Sequence, residues 1–412
     1  TAAAKPSGIH KPKTIFIPWM GDQSHGMAAA FRAYGQHAEV IPIANQQTLE
    51  LGRRFTNGKE CLPCIITAGD MVRVTQREDV EPRQAAFLMP GGSGPCRFGQ
   101  YSCLHRLILD DMGLRDTQVL SPAQDGGLYR EWGKFQGDIV SLGWYGICVF
   151  DLILKAALAI RPYERRTGST DAVYADCSLR ICRLIETQPT EKQLIKCMAW
   201  AAERFSAIET DRGTPRPRIG VVGEIYVRLH RFANNDLIRH LERLGAEIAL
   251  ASYPEWHYYT NWVRMNDARR DRNLLEWLIN YQKDRIQHRR HRRLAAPFAE
   301  LLGPFDEPPT GKLLKLAESY LNPSLKGGDA VLSIGKMVEM CKEGCHGVIN
   351  VMPFSCMPST VVDGLMKRLA ETWNRPAMSI SYDGQHDPML ETRLEAFLYQ
   401  ARVGSINGHG DV

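Results

Sequence analysis

Three short stretches of this chain place thiols on turns punctuated by glycine and proline. Asn57-Gly58-Lys59-Glu60-Cys61-Leu62-Pro63-Cys64 holds two cysteines close together. Pro63 lacks an N–H and disfavours helix at Leu62. The pattern therefore predicts a turn whose backbone N–H groups point at sulfur. The second stretch is Gly91-Gly92-Ser93-Gly94-Pro95-Cys96-Arg97-Phe98-Gly99-Gln100-Tyr101, and the third is Val351-Met352-Pro353-Phe354-Ser355-Cys356-Met357-Pro358-Ser359. Thiolates hold the iron of clusters, and nearby N–H groups and solvent exposure set the potential. The expectation is that these distant turns converge on one iron–sulfur cluster. Arg97 beside Cys96 is expected to lower that thiol's pKa.

Other chemistries compete for the same residues. Structural zinc favours two close pairs of ligands. The chain has one C-x-x-C, with Cys341-Lys342-Glu343-Gly344-Cys345 as a second pair on an expected turn. A thioredoxin-like dithiol at Cys61 and Cys64 would leave the Cys96 and Cys356 turns without a role. Packed thiols are the ordinary reading of any single cysteine. Three cysteines on turns at strand ends argue against that here. Cys148, Cys177, Cys182 and Cys197 lie in apolar helical contexts and read as small buried hydrophobes.

The 412 residues exceed the size of one ordinary core, so two or three domains are expected. No apolar run reaches the roughly 18–20 residues of a membrane span; Asp151 and Lys155 interrupt the nearest, Ile139 to Ile160. The start, Thr1 to Gly8, has no apolar signal core and reads as a linker or processing scar. The 11 cysteines are odd in number in a long chain, which predicts reduced thiols in a cytoplasm rather than a disulfide framework. A net charge of +5 is too small to imply a polyanion partner by itself.

The elements that must position the thiols follow from periodicity. Strands are expected at Lys13 to Pro18, Ala38 to Ile43, Ala85 to Met89 and Gln118 to Leu120. Helices are expected at His25 to Tyr34, Gln47 to Arg54, Ile65 to Val74 and Phe98 to Met112. Such alternation implies a parallel sheet, with ligands gathered outside the carboxyl ends of its strands. From Gly137 to about Phe205 the period is helical, a layer covering or bridging the sheets. A second alternating unit starts at Ile219, is interrupted by a charged helical insertion, and returns at Gly347 to Pro353. A single helix is expected from Thr360 to Trp373, a strand at Ala377 to Ser381 and a last helix from Glu391 to Arg402. The expected organisation is a linker at 1–12, a first α/β domain at 13–135, a helical region at 136–212 and a second α/β domain at 213–412. The insertion covers about 253–322. Cys356 then occupies the place in the second sheet that Cys96 occupies in the first.

Further polar groups follow the strands of the second unit. Glu224, Tyr226 and Arg228 are expected to alternate in direction and to reach substrate or cluster. Asp383, Gln385 and His386 follow the last strand and read as a solvated strand end. Lys283 to Arg293, KDRIQHRRHRR, is a dense basic run. Nucleic-acid phosphates or the phosphates of a CoA ester would suit it, but no nucleic-acid-binding signature accompanies it. A solvated face or a docking surface for an acidic partner suits it better.

GKECLPC, GPCRFGQY and MPFSCMP, with GEIYVR (Gly223 to Arg228) and RLEAF (Arg393 to Phe397), resemble the superfamily of 2-hydroxyacyl-CoA dehydratases and benzoyl-CoA reductases. The closer resemblance is to the C-terminal, cysteine-rich portion of its large activase-type proteins. It runs from about Lys13 to Arg402. It implies two flavodoxin-like domains with a helical middle layer. It also implies a 4Fe–4S cluster, or in one branch an 8Fe–9S double cubane. An ATP-hydrolysing partner of the actin-like type would inject electrons at very low potential. By motif, Cys61, Cys96 and Cys356 match the family's cysteine positions, and Cys64 is the fourth candidate. A double cubane would draw on Cys64, Cys341 and Cys345.

The chain has no phosphate-binding loop of the G-x-x-x-x-G-K-[ST] type and no G-x-G-x-x-G after a strand, so ATP is expected on a partner or on a missing N-terminal region. The implied function is low-potential electron transfer in reductive or radical dehydration of a CoA thioester or other small molecule. Glu60 and Glu224 are then the acid/base candidates. An electron-relay or scaffold subunit, or a zinc-stabilised binding protein, is the alternative, and an oligomer is expected.

Overall fold

The computed structural model describes residues 14–92, 96–122, 138–303, 307–325 and 329–407. The expected linker, the middle of the glycine turn before Cys96 and the expected boundary near 135 lie outside them. The first half contains β1 (Thr14–Ile17), α1 (Gln23–Ala33), β2 (Ala38–Val40), α2 (Gln46–Arg54) and α3 (Leu62–Thr75). It continues with β3 (Ala85–Leu88), a 3₁₀ turn at Arg97–Gln100, α4 (Tyr101–Asp111) and β4 (Gln118–Leu120). All strand pairs are parallel, in the order β2-β1-β3-β4. The apolar runs of β1 and β3 are buried on both faces, as central strands of a covered parallel sheet must be.

Three long helices follow: α5 (Ile139–Ile160), α6 (Ser169–Glu186) and α7 (Glu191–Ser206). Thr190 and Gln193 form a capping box that starts α7 after the expected break. The second half has β5 (Arg218–Gly223), α8 (Ile225–Leu229), α9 (Leu237–Arg243) and β6 (Glu247–Leu250). An insertion of helices comes next: α10 (Pro254–Arg270), α11 (Leu274–Ala295), α12 (Ala299–Leu302), α13 (Thr310–Ala317) and α14 (Ala330–Lys342). The sheet resumes with β7 (Gly347–Pro353), α15 (Met357–Asp363), α16 (Met366–Trp373), β8 (Ala377–Tyr382) and α17 (Leu390–Asn407). Its order, β6-β5-β7-β8, repeats that of the first sheet, and it too is wholly parallel. Both sheets are flavodoxin-like, with the switch point between the first and third strands of each.

Several expectations need correction. The expected helix from Thr360 to Trp373 is two helices, broken at Gly364 and Leu365. The expected helix from Phe98 begins as a tighter 3₁₀ turn. Leu62 is helical after all. Pro63 stands in the first turn of α3, where a missing N–H costs nothing because that donor has no partner within the helix. Tyr226 and Arg228 lie in α8 rather than on an extended segment.

α5 holds the halves together. It is long and apolar enough to cross a membrane, but 83% of its most apolar window is buried inside the protein. Phe150, Leu152 and Ile153 pack in one core with Ile15 and Ile17 of β1, whereas Leu158 joins the core of β5 and β6. Its polar groups face the second half. Asp151 accepts hydrogen bonds from Ser252 Oγ (2.8 Å) and Tyr253 N (2.9 Å), and Lys155 pairs with Glu307. α1 crosses α5 at Gly26 and Gly146, where a Cβ on either would come within 2.8 Å of the other's backbone.

A second glycine crossing sets the first thiols. α2 and α3 touch at Gly52 and Gly69, and a Cβ on Gly69 would fall on the carbonyl oxygen of Thr48. Gly69→Ala should therefore lower stability by about 1–3 kcal/mol through overpacking. Urea unfolding of the two proteins checks this; an unchanged midpoint would mean that the helices do not meet this closely.

Candidate functional site

The three cysteine turns share one local design. Cys61, Cys96 and Cys356 are each the residue before the first helical residue, at the starts of α3, the 3₁₀ turn and α15. Each has extended backbone, with ψ of 155°, 133° and 116° respectively. A residue at that position lies beside backbone N–H groups that have no partner within the helix. Cys96 and Cys356 follow β3 and β7, the equivalent strands of the two sheets. Cys61 and Cys64 instead open α3. Cys64 donates its N–H to Cys61 O at 2.9 Å, and both side chains are buried. Cys356 is half-buried and Cys96 is exposed.

One side chain ties the turns together. Arg97 Nη1 donates to Lys59 O at 2.6 Å and to Ser355 Oγ at 3.1 Å. The guanidinium next to Cys96 thus touches the turn before Cys61 and the residue before Cys356. A second bond crosses between the halves nearby, from Arg53 Nη2 to Asp383 O at 3.1 Å. Gly384, at φ +83°, lets that loop come close to Leu49 and Leu62. The turn before Cys356 also carries backbone that resists a side chain: Ser355 has φ +61°.

The thiols are protonated in this setting. Burial raises Cys61 and Cys64, with Arg97 opposing in both cases. Burial pushes Cys356 up to about 12; Cys96, exposed as a residue, is raised to about 11 by desolvation around its sulfur, with the charges of Glu224 and Asp329 adding to it. The expected lowering of Cys96 by Arg97 is corrected on this point, because the guanidinium acts on Cys61 and Cys64. Cys61 Sγ also lies 2.6 Å from Tyr101 Oη on α4.

Two carboxyls act on the same thiols. Glu224, the residue before α8, accepts from Tyr226 N at 3.1 Å and Val227 N at 2.8 Å. Its charge raises Cys61, Cys96 and Cys356 alike. Burial pushes Glu224 up to about 7 against those two hydrogen bonds. Asp329, at the start of α14, raises Cys96 and Cys356 and is itself raised by burial, with Arg228 opposing. Gly223, Arg228, Glu255 and Asp329 line one small cavity behind Glu224.

Glu60 makes its own local contacts. Its Oε2 accepts from Asn57 N at 2.9 Å and Lys59 N at 3.1 Å, which closes the turn before Cys61. Asp383, Gln385 and His386 line a cleft of about 300 Å³ with Phe354 and Tyr382.

Cys341 and Cys345 lie apart from the site. Cys341 is within α14 and Cys345 precedes β7, both packed in the core of the second half. Cys356 follows the other end of β7, so the seven residues of that strand, about 20 Å, separate it from Cys345. Cys148, Cys177 and Cys197 are core residues, as expected. Among the described residues, no three His, Cys, Asp or Glu side chains gather closely enough to hold a single metal ion.

Sequence reasoning missed Tyr101, Ser355 and Asp329. Tyr101 was visible as the end of the Cys96 motif, but only the fold shows that it meets Cys61. The chain matches no protein-family model, and no curated protein resembles it significantly.

Glu224 sets a pH dependence. A carboxyl raised from 4.5 to about 7 on folding stabilises the native state below about 4.5. That contribution is lost as the pH rises through 7. Relative to Glu224→Gln, the wild-type protein should lose about 1–3 kcal/mol between pH 4.5 and 8. Unfolding midpoints of the pair across this range decide it; a constant difference would show that Glu224 is ionised in the folded protein as in the unfolded chain.

Proposed function

We propose that the protein carries electrons at low potential through an iron–sulfur cluster, in reductive or radical dehydration chemistry driven by an ATP-hydrolysing partner. The observation that carries this reading is the Arg97 clamp. It draws turns from both sheets together, and every cysteine that matches the superfamily motifs lies on them. The resemblance supplies the cluster type, the partner and the class of substrate.

The proposed donor set is sulfur from three turns, the ligand type of iron–sulfur clusters. A zinc site places four donors about 2.3 Å from one point when they are sulfur. The thiols here share the field of Glu224 but do not gather at that spacing. A cluster interposes its own sulfides between protein thiolates and spans a wider donor set. Cys61, Cys96 and Cys356 would hold it, with Cys64 adjacent in the first turn of α3. Bound there, the cluster supplies one-electron transfer at a potential set by its thiolates, hydrogen bonds and exposure.

The remaining residues have definable work. Tyr101 Oη fixes Cys61 Sγ and bears on the electron density of that sulfur. Glu224, titrating near neutrality, is placed to exchange a proton beside the thiols. Glu60, whose carboxylate likewise accepts two backbone N–H bonds, is the other acid/base candidate. Without a substrate step, the same residues make an electron relay. The free thiols suit a reducing compartment such as cytoplasm.

Anaerobic purification with iron and acid-labile sulfide analysis tests the reading. About four irons per chain identify a single cubane and about eight with excess sulfide a double one. Cys96→Ala and Cys356→Ala should each lose most of the iron while remaining folded. Zinc without sulfide, or no metal in protein made under iron-replete anaerobic conditions, overturns it.

A further inference from the structure

The insertion carries a surface that the thiol site does not use. α10 and α11 form a hairpin, and α11 packs by its inner face through Asn280, His291, Leu294 and Ala295. Residues 254–295 contain ten Lys and Arg against five Asp and Glu. The whole chain carries a net charge of +5, so all of it resides here and 41 charges of each sign balance elsewhere. The outer face of α11 is apolar over its first turns. Leu274, Leu275, Leu278 and Ile279 are 75%, 70%, 46% and 58% exposed, and Ile286 is 48% exposed. Arg285, Arg289, Arg292 and Arg293 continue that face and are exposed. Arg293 pairs with Glu191, but Arg289 and Arg292 make no ion pair among the described residues.

The geometry points to a docking surface for a different protein, one that presents an apolar ridge beside a cluster of carboxylates. A contiguous exposed apolar patch on a folded chain marks an interaction site. An apolar centre continued by arginines is the make-up of a protein interface. Arginine's planar fork matches carboxylates two bonds at a time.

The other occupants fit less well. A second copy would set one +5 hairpin against another, and like charges across an interface cost several kcal/mol. Nucleic acid is bound by basic grooves with free aromatic faces. Here the exposed residues are aliphatic, and Trp277 is already stacked on Tyr281 with Arg269 over its ring. Helices that lie in a membrane interface separate an apolar face from a basic one around the axis. On α11 the two kinds of residue share one face and are separated along the axis instead.

The inference is independent of the iron–sulfur reading, and so is its test. A photo-crosslinking residue at Ile279 of the intact protein, in its native cells, is compared with one at Leu179, an exposed leucine of α6. The expected adduct is a protein acidic at the contact, at least tenfold enriched over the Leu179 control. Arg289→Glu with Arg292→Glu should cut its yield about tenfold without changing the circular dichroism. Reversing the acidic residues in the adducted segment of that protein should restore it. An adduct with a second copy, lipid, nucleic acid or a CoA ester overturns the inference. So does no adduct, a yield indifferent to the arginine reversals, or a failed restoration.

Discussion

The structure depends on the burial of α5. Twenty-two mostly apolar residues cannot be left in water, and one sheet covers only one side of a helix. The first sheet, α1, α6, α7 and part of the insertion share one core with most of α5, and β5 and β6 take its end at Leu158. Neither half is complete without that shared helix. Asp151 and Lys155 convert this non-directional burial into a fixed relation. Their partners beyond the helix, Ser252, Tyr253 and Glu307, belong to the second half. Asp151 and Lys155 also pair with each other at 3.1 Å, so sliding of the halves would cost the buried hydrogen bonds to Ser252 and Tyr253 and the Lys155–Glu307 pair rather than strand a lone charge. The carboxyl ends of both sheets are thereby held where their loops can meet.

That relation is what makes a single arginine sufficient at the site. Arg97 spans from Lys59 to Ser355, positions far apart in the chain. A surface arginine has no reason to choose those two acceptors. One held between two fixed loops makes both bonds at small entropic cost, because the loops are already ordered. The glycine crossings do the equivalent work for Cys61 and Cys64. With no side chain at Gly52 or Gly69, α2 lies against α3, and α3 delivers its first turn to the cleft.

The fold was largely legible in sequence because parallel strands buried on both faces read as short apolar runs, and β1, β3, β5 and β7 are such runs. Helix starts were less legible. Pro63 is compatible both with a turn and with the first turn of a helix, and only packing against α2 decides. The site was legible in its cysteines because Gly and Pro mark turns at strand ends. Its other members were not. Cys61 meets Tyr101 across 40 residues and Arg97 meets Ser355 across 258, and no local periodicity encodes such a meeting. Cys341 was misplaced for the opposite reason. Gly344 gives a strong local turn signal, yet the helix runs on through Lys342 and carries Cys341 into the core. The exposure of Leu275 and Ile279 was hidden as well, since an apolar helix position ordinarily implies a covered one.

The charges at the site constrain what it can receive. Four thiols and two carboxyls share it with the one guanidinium of Arg97, and Arg228 lies behind Glu224 and Asp329. Burial disfavours every one of these acids in its ionised form. They cannot all ionise together, because each new anion raises the pKa of its neighbours in a medium that screens poorly. Burial therefore keeps the protons on sulfur. A negatively charged or neutral occupant would leave the thiols protonated and gain nothing from them. An occupant that brings positive charge reverses the balance. It replaces the thiol protons, makes the nearby carboxylates favourable and releases protons as it binds. The burial that keeps these acids protonated would, on the proposed reading, favour a cationic centre that displaces their protons over an anionic ligand.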